Sequence, residues 1–185
     1  LKKVGNDIMS VVGGRPIHPV NVRLGGFYRA PGREVIGALA EPLAWAHEAA
    51  IDLAEWVSGF DFPDLRVDHE FVSLRHAEEY AVLSGRLVSD RGLDIGIDEF
   101  DTEFAEFQVP HSTALHSRRL GSDTLYLMGP LARWTNNRDR VPAEVDALAR
   151  RLGVPDSERN PFRSIVIRSL EVLIAVIQAQ EIVEA

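Results

Sequence analysis

Hydrophobic positions recur every three or four residues toward both ends of the chain, and shorter apolar runs separated by turn residues occupy its middle. The helical period predicts one helix from Leu1 to Val12 and a longer one that Pro31-Gly32-Arg33 opens and Gly59 ends. Pro42 lies inside the longer pattern and predicts a kink or a split, because proline lacks the N–H donor. We expect Trp45 and Trp56 to be core anchors, with ligand stacking as the alternative. The apolar face of this helix is Val35, Leu39, Leu43, Ala46, Ala50, Leu53 and Val57.

The middle of the chain predicts short strands joined by turns. Glu70 to Leu74 is typical of a strand, and Arg86 to Ser89 with Leu93 to Ile97 predict a hairpin around Asp90-Arg91-Gly92. Three phenylalanines at helical spacing, Phe100, Phe104 and Phe107, predict a short amphipathic helix over Asp98 to Phe107. Two extended segments complete this part, on either side of a turn at Gly121-Ser122-Asp123: Gln108 to Ser117 and Thr124 to Met128.

The last third of the chain is predicted to be helical. Gly129-Pro130 should end a strand and open a helical turn over Leu131 to Asn136. A helix is predicted over Pro142 to Leu152, and Asn160-Pro161 should cap a final helix from Phe162 to the end. This closing helix is apolar nearly all round, so we expect it to be buried in a larger protein.

These elements predict an α+β fold of long buried helices with a small antiparallel β portion. We expect a single segment of a larger subunit. The loop motif and the long helices should occupy residues 1–65. The β structure with one short helix should occupy residues 66–128, and further helices should occupy residues 129–185. Both ends lie inside helical patterns, which is why we expect a piece of a longer protein.

Composition narrows the possible functions. The chain has 185 residues and a formal net charge of −8 without a long acidic block, which argues against nucleic-acid binding. It has no cysteine, which excludes disulfides, a thiol nucleophile and cysteine-ligated metals within these residues. The most apolar run, Leu170 to Ile177, is far shorter than the ~20 residues that span a bilayer, so we expect no membrane insertion.

One irregular segment stands out for its chemistry. Two Gly-Gly pairs, Gly13-Gly14 and Gly25-Gly26, bracket Arg15-Pro16-Ile17-His18-Pro19, and Arg23 follows. Glycine allows positive φ, and each proline disfavours helical backbone at the residue before it, here Arg15 and His18. The segment is therefore predicted to be neither helix nor regular strand. It can hold one imidazole and two guanidiniums at a site or interface, or it can be a linker with a surface histidine.

The remaining histidines do not form a recognisable motif. His47 lies on the long helix and should be satisfied locally, whereas the roles of His69, His76, His111 and His116 stay open. None has the H-E-x-x-H spacing of zinc hydrolases, and proximity of Ser and His in sequence does not define a triad. We do not expect a metal or nucleophile site built from these residues alone.

Several blocks together resemble the nickel-iron hydrogenase large subunits, in the order found in that family. The first runs from Gly13 to Tyr28, the family's central motif. The chain looks most like the soluble sulfhydrogenase type, the cytoplasmic enzymes linked to NAD(P). The other matching blocks are Phe62-Pro63-Asp64, Tyr80 to Ser89, Val109 to Ser117, Gly129 to Arg133 and Asn160 to Ile165.

The resemblance implies an activity for the parent enzyme rather than for this chain alone. Family members split hydrogen reversibly and pass electrons to an iron-sulfur small subunit and, in this type, to flavin- and NAD(P)-binding diaphorase subunits. Their nickel-iron centre is held by four cysteines in two motifs, both absent here. The resemblance therefore implies a central segment, inactive alone, that holds no cofactor, with the nickel-iron centre in the full-length parent.

The resemblance also implies roles for particular residues. The motif histidine, His18, should face the small subunit near its proximal iron-sulfur cluster, with Arg15 and Arg23 in the second shell or at the interface. The alternative for His18 is a bracing hydrogen bond to a backbone carbonyl. Arg133 should pair with a carboxylate or a carbonyl. The other motif residues are expected to be structural: Gly13, Gly14, Pro19, Gly25, Gly26, Gly129 and Pro130.

Two other hypotheses remain beside this one. The chain could be a stand-alone scaffold or binding domain of hydrogenase-like fold that has lost the metal site, which the sequence flanking Leu1 and Ala185 would decide. It could also be an unrelated metal-dependent enzyme that uses its histidines and carboxylates, which metal analysis of the purified protein would decide.

Overall fold

The computed structural model describes all residues from Leu1 to Ala185 and divides them into two compact units. The first unit comprises Leu1–Gly59 and Ser169–Ala185, and the second comprises Phe60–Arg168. The mixture of helices with small, largely antiparallel sheets confirms the predicted α+β class. None of the helices combines the length and the hydropathy that a membrane span requires.

Helices dominate the first unit. They are α1 (Lys2–Gly13), α2 (Arg33–Gly37), α3 (Ala40–Ser58) and the greater part of α7 (Ser164–Glu184), while β1 (Val22–Arg23) and β2 (Gly26–Phe27) form a small antiparallel hairpin. Val4 of α1 and Leu43 and Ala46 of α3 are buried together with Leu39. Three residues of α7 pack against this cluster, which explains why its C-terminal turns carry aliphatic side chains: Val176, Ala179 and Val183.

The long predicted helix is divided, but not at Pro42. α2 ends at Gly37, and α3 begins at Ala40. Pro42 therefore lies in the first turn of α3, where a backbone N–H has no partner within the helix, and α3 continues through it. The prediction of an interruption was right, and its position was wrong by a few residues.

The two tryptophans of α3 are exposed, which contradicts their expected role as core anchors. Trp45 is 58% exposed and Trp56 is 67% exposed. Eleven residues are about three helical turns, so both lie on one side of α3. The buried stripe on the other side consists mainly of alanines, with Leu43 and Val57 near its ends: Leu43, Ala46, Ala50, Ala54 and Val57.

A four-stranded sheet forms the centre of the second unit. Its strands are β3 (Glu70–Arg75), β4 (Arg86–Ser89), β5 (Asp94–Ile95) and β8 (Tyr126–Leu127), in the order β5-β4-β3-β8. β3 is antiparallel to β4 and parallel to β8. The predicted hairpin between β4 and β5 is confirmed, since both strands pair antiparallel across Asp90-Arg91-Gly92. The core of the sheet is Val72, Leu87, Leu93 and Phe104.

The predicted helix over Asp98 to Phe107 is wrong in its second half. A 3₁₀ turn (Ile97–Glu99) and α4 (Phe100–Glu103) are helical, but β6 (Phe104–Val109) begins at Phe104. β6 pairs antiparallel with β7 (Ser112–Arg119), and the predicted extended segment Gln108 to Ser117 is thus most of a hairpin. Burial of Phe104 in the sheet core and pairing with Arg119 outweigh the helical spacing of the phenylalanines.

Helices complete the second unit. α5 (Pro130–Asn136) packs against β3, and the carboxamides of Asn136 and Asn137 donate hydrogen bonds to the carbonyls of Phe71 and Leu74. A 3₁₀ turn (Arg138–Arg140) and α6 (Ala143–Arg151) follow. A third 3₁₀ turn (Pro161–Arg163) leads into α7, and the Asn160 side chain caps it by accepting from the Phe162 N–H, as the sequence predicts.

Candidate functional site

The segment from Gly13 to Tyr28, hereafter the Gly13–Tyr28 loop, folds back onto the end of α1. The carbonyl of Gly13 accepts hydrogen bonds from the N–H groups of Val20 at 2.9 Å and Asn21 at 3.0 Å. A Cβ atom on Gly13 would lie 2.7 Å from Cβ of Pro19, closer than real contacts allow. Glycine at position 13 is what permits the close approach of Pro19.

Asn21 holds the two ends of the loop together. Its Nδ2 group donates to the carbonyls of Val12 at 2.8 Å and Arg29 at 2.6 Å, and its Oδ1 accepts from the Arg29 N–H at 3.0 Å. Asn21 is not among the residues that the sequence predicted for this site. Its position between two Gly-Gly pairs was the available signal, since asparagine commonly ties irregular backbone together through its carboxamide.

Gly25 lies in the turn of a small hairpin, and Gly26 begins its second strand. Gly25 has φ 79° and Gly26 has φ 146°, and Arg23 pairs with Gly26 across the two-residue turn. The loop was predicted to contain no regular strand, and β1 and β2 correct this: each has two residues. The positive φ values explain why glycines occupy these two positions.

His18 projects from strained backbone. Its φ of 53° is the one positive value among non-glycine residues of the chain. Pro19 was predicted to disfavour right-handed helical backbone at His18, and the positive φ lies outside that region. Arg15 explains how this conformation persists, since its Nε donates a hydrogen bond to the His18 carbonyl oxygen.

The imidazole of His18 does not brace the loop. The residue is exposed, and its ring makes no hydrogen bond or ion pair within the chain. Bracing is instead done by the Arg15 guanidinium and the Asn21 carboxamide. Within this chain the ring is therefore available to a partner.

The rest of the loop surface is apolar and basic. The guanidinium of Arg23 lies 5.7 Å from the ring centre of Tyr28, a cation–π contact that orients both side chains. Six apolar side chains between positions 17 and 28 are more than half exposed: Ile17, Val20, Val22, Leu24, Phe27 and Tyr28.

The second predicted structural motif connects β8 to α5. Gly129 has φ 101° and precedes the first residue of the helix, Pro130, whose missing N–H costs nothing there. Arg133 is half-buried in α5, and its carbonyl accepts hydrogen bonds from the backbone and side chain of Asn137. Gly129 and Pro130 thus lie where the chain passes from strand to helix.

Only two of the remaining histidines are brought together. The rings of His111 and His116 are 5.8 Å apart at the exposed end of the β6–β7 hairpin. His69 and His76 lie elsewhere in the second unit, and His76 Nδ1 accepts from the Glu78 N–H at 3.3 Å. His47 Nδ1 lies 3.5 Å from Glu48 Oε1, which fits the expected local partner. No group of three or more His, Cys, Asp or Glu side chains is placed to hold a metal ion.

Two carboxyl groups with lowered pKa values lie in the second unit, outside the loop. A hydrogen bond from Arg75 lowers the pKa of Asp139. A hydrogen bond from Arg150, and to a smaller extent one from Arg138, lowers the pKa of Asp146. These arginine–carboxylate pairs join β3, α6 and the turn between α5 and α6, so their role is structural.

Comparison with known proteins gives the class to which this architecture corresponds. The chain has the fold of part of a nickel-iron hydrogenase. It superposes with a TM-score of 0.78 and 21% identity on the solved structure of an NAD⁺-reducing [NiFe]-hydrogenase in the H₂-reduced state. The match covers 98% of this chain and 45% of that one. No protein-family model matches the chain.

The sequence comparison names a particular relative. The chain is 25% identical over 188 residues to the alpha subunit of sulfhydrogenase 1 from Pyrococcus furiosus, with 100% of this chain and 43% of that protein covered. The chain thus spans less than half the length of either protein. The resemblance to a nickel-iron hydrogenase large subunit of the sulfhydrogenase type is confirmed.

Proposed function

We propose that this chain is the central segment of a nickel-iron hydrogenase large subunit. The parent enzyme reversibly oxidises H₂ and passes the electrons through an iron-sulfur small subunit to diaphorase subunits that bind flavin and NAD(P), in the cytoplasm. Similarity to a sulfhydrogenase alpha subunit and to an NAD⁺-reducing [NiFe]-hydrogenase supports this proposal.

The residues of this chain do not fit a nickel-iron centre by themselves. Such a centre needs soft thiolate ligands, and the chain has no cysteine. In the proposed parent, the ligands come from segments outside these residues. The segment alone should therefore lack hydrogenase activity and hold no stoichiometric nickel or iron, and elemental analysis that finds one nickel per chain would contradict this.

The Gly13–Tyr28 loop is the surface on which the small subunit would dock. The observation that carries this proposal is an exposed imidazole on strained backbone, fixed by Arg15 and Asn21. Structures keep such strain where it serves a function, since it costs about 1–3 kcal/mol. An imidazole can donate a hydrogen bond or accept a proton, so His18 can tune a nearby iron-sulfur cluster or couple proton and electron movement.

The test replaces His18 in the complete enzyme complex. His18→Ala should slow electron transfer to the acceptor or change the direction bias of turnover, while the nickel content stays that of the wild type. His76→Ala, outside the loop, is the matched control and should leave both unchanged. Full activity and unchanged bias, with only a lower melting temperature, would assign His18 a structural role and refute the proposal.

A further inference from the structure

The Gly13–Tyr28 loop has a charge opposite to that of the chain as a whole. Residues 8–33 contain four arginines and no acidic residue, although the formal net charge of the chain is −8. Arg15 and Arg23 lie in the loop and Arg29 follows it directly, and all three are exposed. Clustered charge of one sign creates a local potential that attracts the opposite sign. The loop is thus a basic patch on an acidic chain.

Apolar side chains lie between these arginines. Leu24 is fully exposed at 102%, Tyr28 is 71% exposed and Ile17 is 66% exposed. Single exposed apolar residues are common, but six within twelve positions indicate an interaction surface. Arginine and tyrosine are also enriched at protein–protein interfaces, where acidic residues are depleted.

The backbone of the patch is already ordered. Gly13, Arg15 and Asn21 fix its course through hydrogen bonds inside the loop, and none of the exposed apolar side chains supplies them. A preordered surface loses little conformational entropy on binding. Binding can therefore use the exposed side chains without remodelling the loop.

We propose that the small-subunit surface that docks on the Gly13–Tyr28 loop is apolar at its centre and acidic at its rim. This inference rests on the proposed function, and it adds the partner's chemistry. Arg23 and Arg29 steer the two surfaces together, and the apolar side chains between positions 17 and 28 form the dry centre. Rim charges of this kind act mainly on the association rate and its salt dependence.

The test measures association of the full-length large subunit with the small subunit between about 50 and 300 mM NaCl, where exposed charges become screened. The double variant Arg23→Glu/Arg29→Glu should associate about tenfold more slowly at low salt, with a flatter salt dependence. The charge-preserving variant Arg23→Lys/Arg29→Lys should keep the rate. Arg66→Glu reverses an exposed charge outside the loop and is the control.

The outcomes separate this inference from the proposed function. Hydrogen exchange reports independently whether residues 15–29 become protected in the complex. Protection combined with an unchanged rate for the charge-reversal variant would leave the interface in place and refute the acidic rim. Absence of protection would refute the docking site itself. Salt-sensitive self-association through the loop, without the small subunit, would identify the partner as a second acidic copy of this chain and overturn the proposal.

Discussion

The buried carboxylate of Glu70 should be the most sensitive charged position of the second unit. Glu70 is 1% exposed, and its Oε1 accepts from Ser89 Oγ at 2.5 Å and from Nη1 of Arg119. The Ser89 hydroxyl also accepts from the N–H groups of Arg91 and Leu93, each at 3.1 Å. One carboxylate thereby connects β3, the β4–β5 turn and β7.

Glu70→Ala would leave the Arg119 guanidinium without its buried partner. Breaking a buried ion pair from one side costs about 3–5 kcal/mol. The Arg119 side chain is 20% exposed and Glu103 lies 3.5 Å from its Nε, so part of this cost is relieved. We expect a loss near the lower limit, about 3 kcal/mol in the free energy of unfolding.

Urea unfolding monitored by Trp134 fluorescence measures this loss. Trp134 is fully buried in the second unit, and replacing the exposed Trp45 and Trp56 by phenylalanine in every variant makes it the sole reporter. With a slope of about 1.5 kcal/mol per molar urea, the midpoint should fall by about 2 M. Asp94→Ala breaks the exposed pair with Arg86 and should cost below about 1 kcal/mol. A Glu70→Ala loss no larger than that of Asp94→Ala would refute the reasoning.

Three further outcomes are expected. Gly13→Ala should loosen the Gly13–Tyr28 loop, because Pro19 obstructs the added methyl group, and faster hydrogen exchange at Val20 checks this. Asp139 and Asp146 have lowered pKa values, so their contribution to the free energy of unfolding is complete above the unfolded pKa near 3.8 and is lost as pH falls below it. The Asp139→Asn/Asp146→Asn double variant should therefore lose less stability than the wild type between pH 6 and pH 3. The apolar groove between α1, α3 and α7, about 320 Å³, should promote self-association of the isolated chain, which light scattering checks.

Periodicity and turn chemistry predicted most elements because these signals are local. α1 and α6 follow the apolar period, and Asn160 provides the expected cap before the closing helix. The β4–β5 hairpin follows from Asp90-Arg91-Gly92, whose preferences act within a few residues. Signals of this range do not depend on the remainder of the fold.

Predictions that depended on distant partners were less successful. Phe104 has the spacing of a helix, yet its pairing with Arg119 is fifteen positions away in sequence and makes it a strand residue. Trp45 and Trp56 were expected to be core anchors, whereas the buried face of α3 is mostly alanine. Periodicity identifies an apolar face but does not determine which large residue lies beside it.

The sequence predicted where the candidate site lies, but not the hydrogen bonds that hold its backbone. The Gly, Pro and Arg composition identified the loop, and the positive φ of Gly14, Gly25 and Gly26 agrees with it. The bracing by Arg15 and Asn21 could not be predicted, since each hydrogen bond depends on how the chain folds back onto α1.

The left-handed conformation of His18 has a consequence for engineering this chain. A residue other than glycine or asparagine at φ 53° costs about 1–2 kcal/mol relative to the same residue in right-handed helical backbone. A sequence optimised for thermal stability alone would place glycine or asparagine there, so stability-directed selection should enrich for loss of the imidazole. Stability-directed engineering of this chain should therefore hold position 18 fixed if the proposed role of His18 at the small-subunit interface is to be kept.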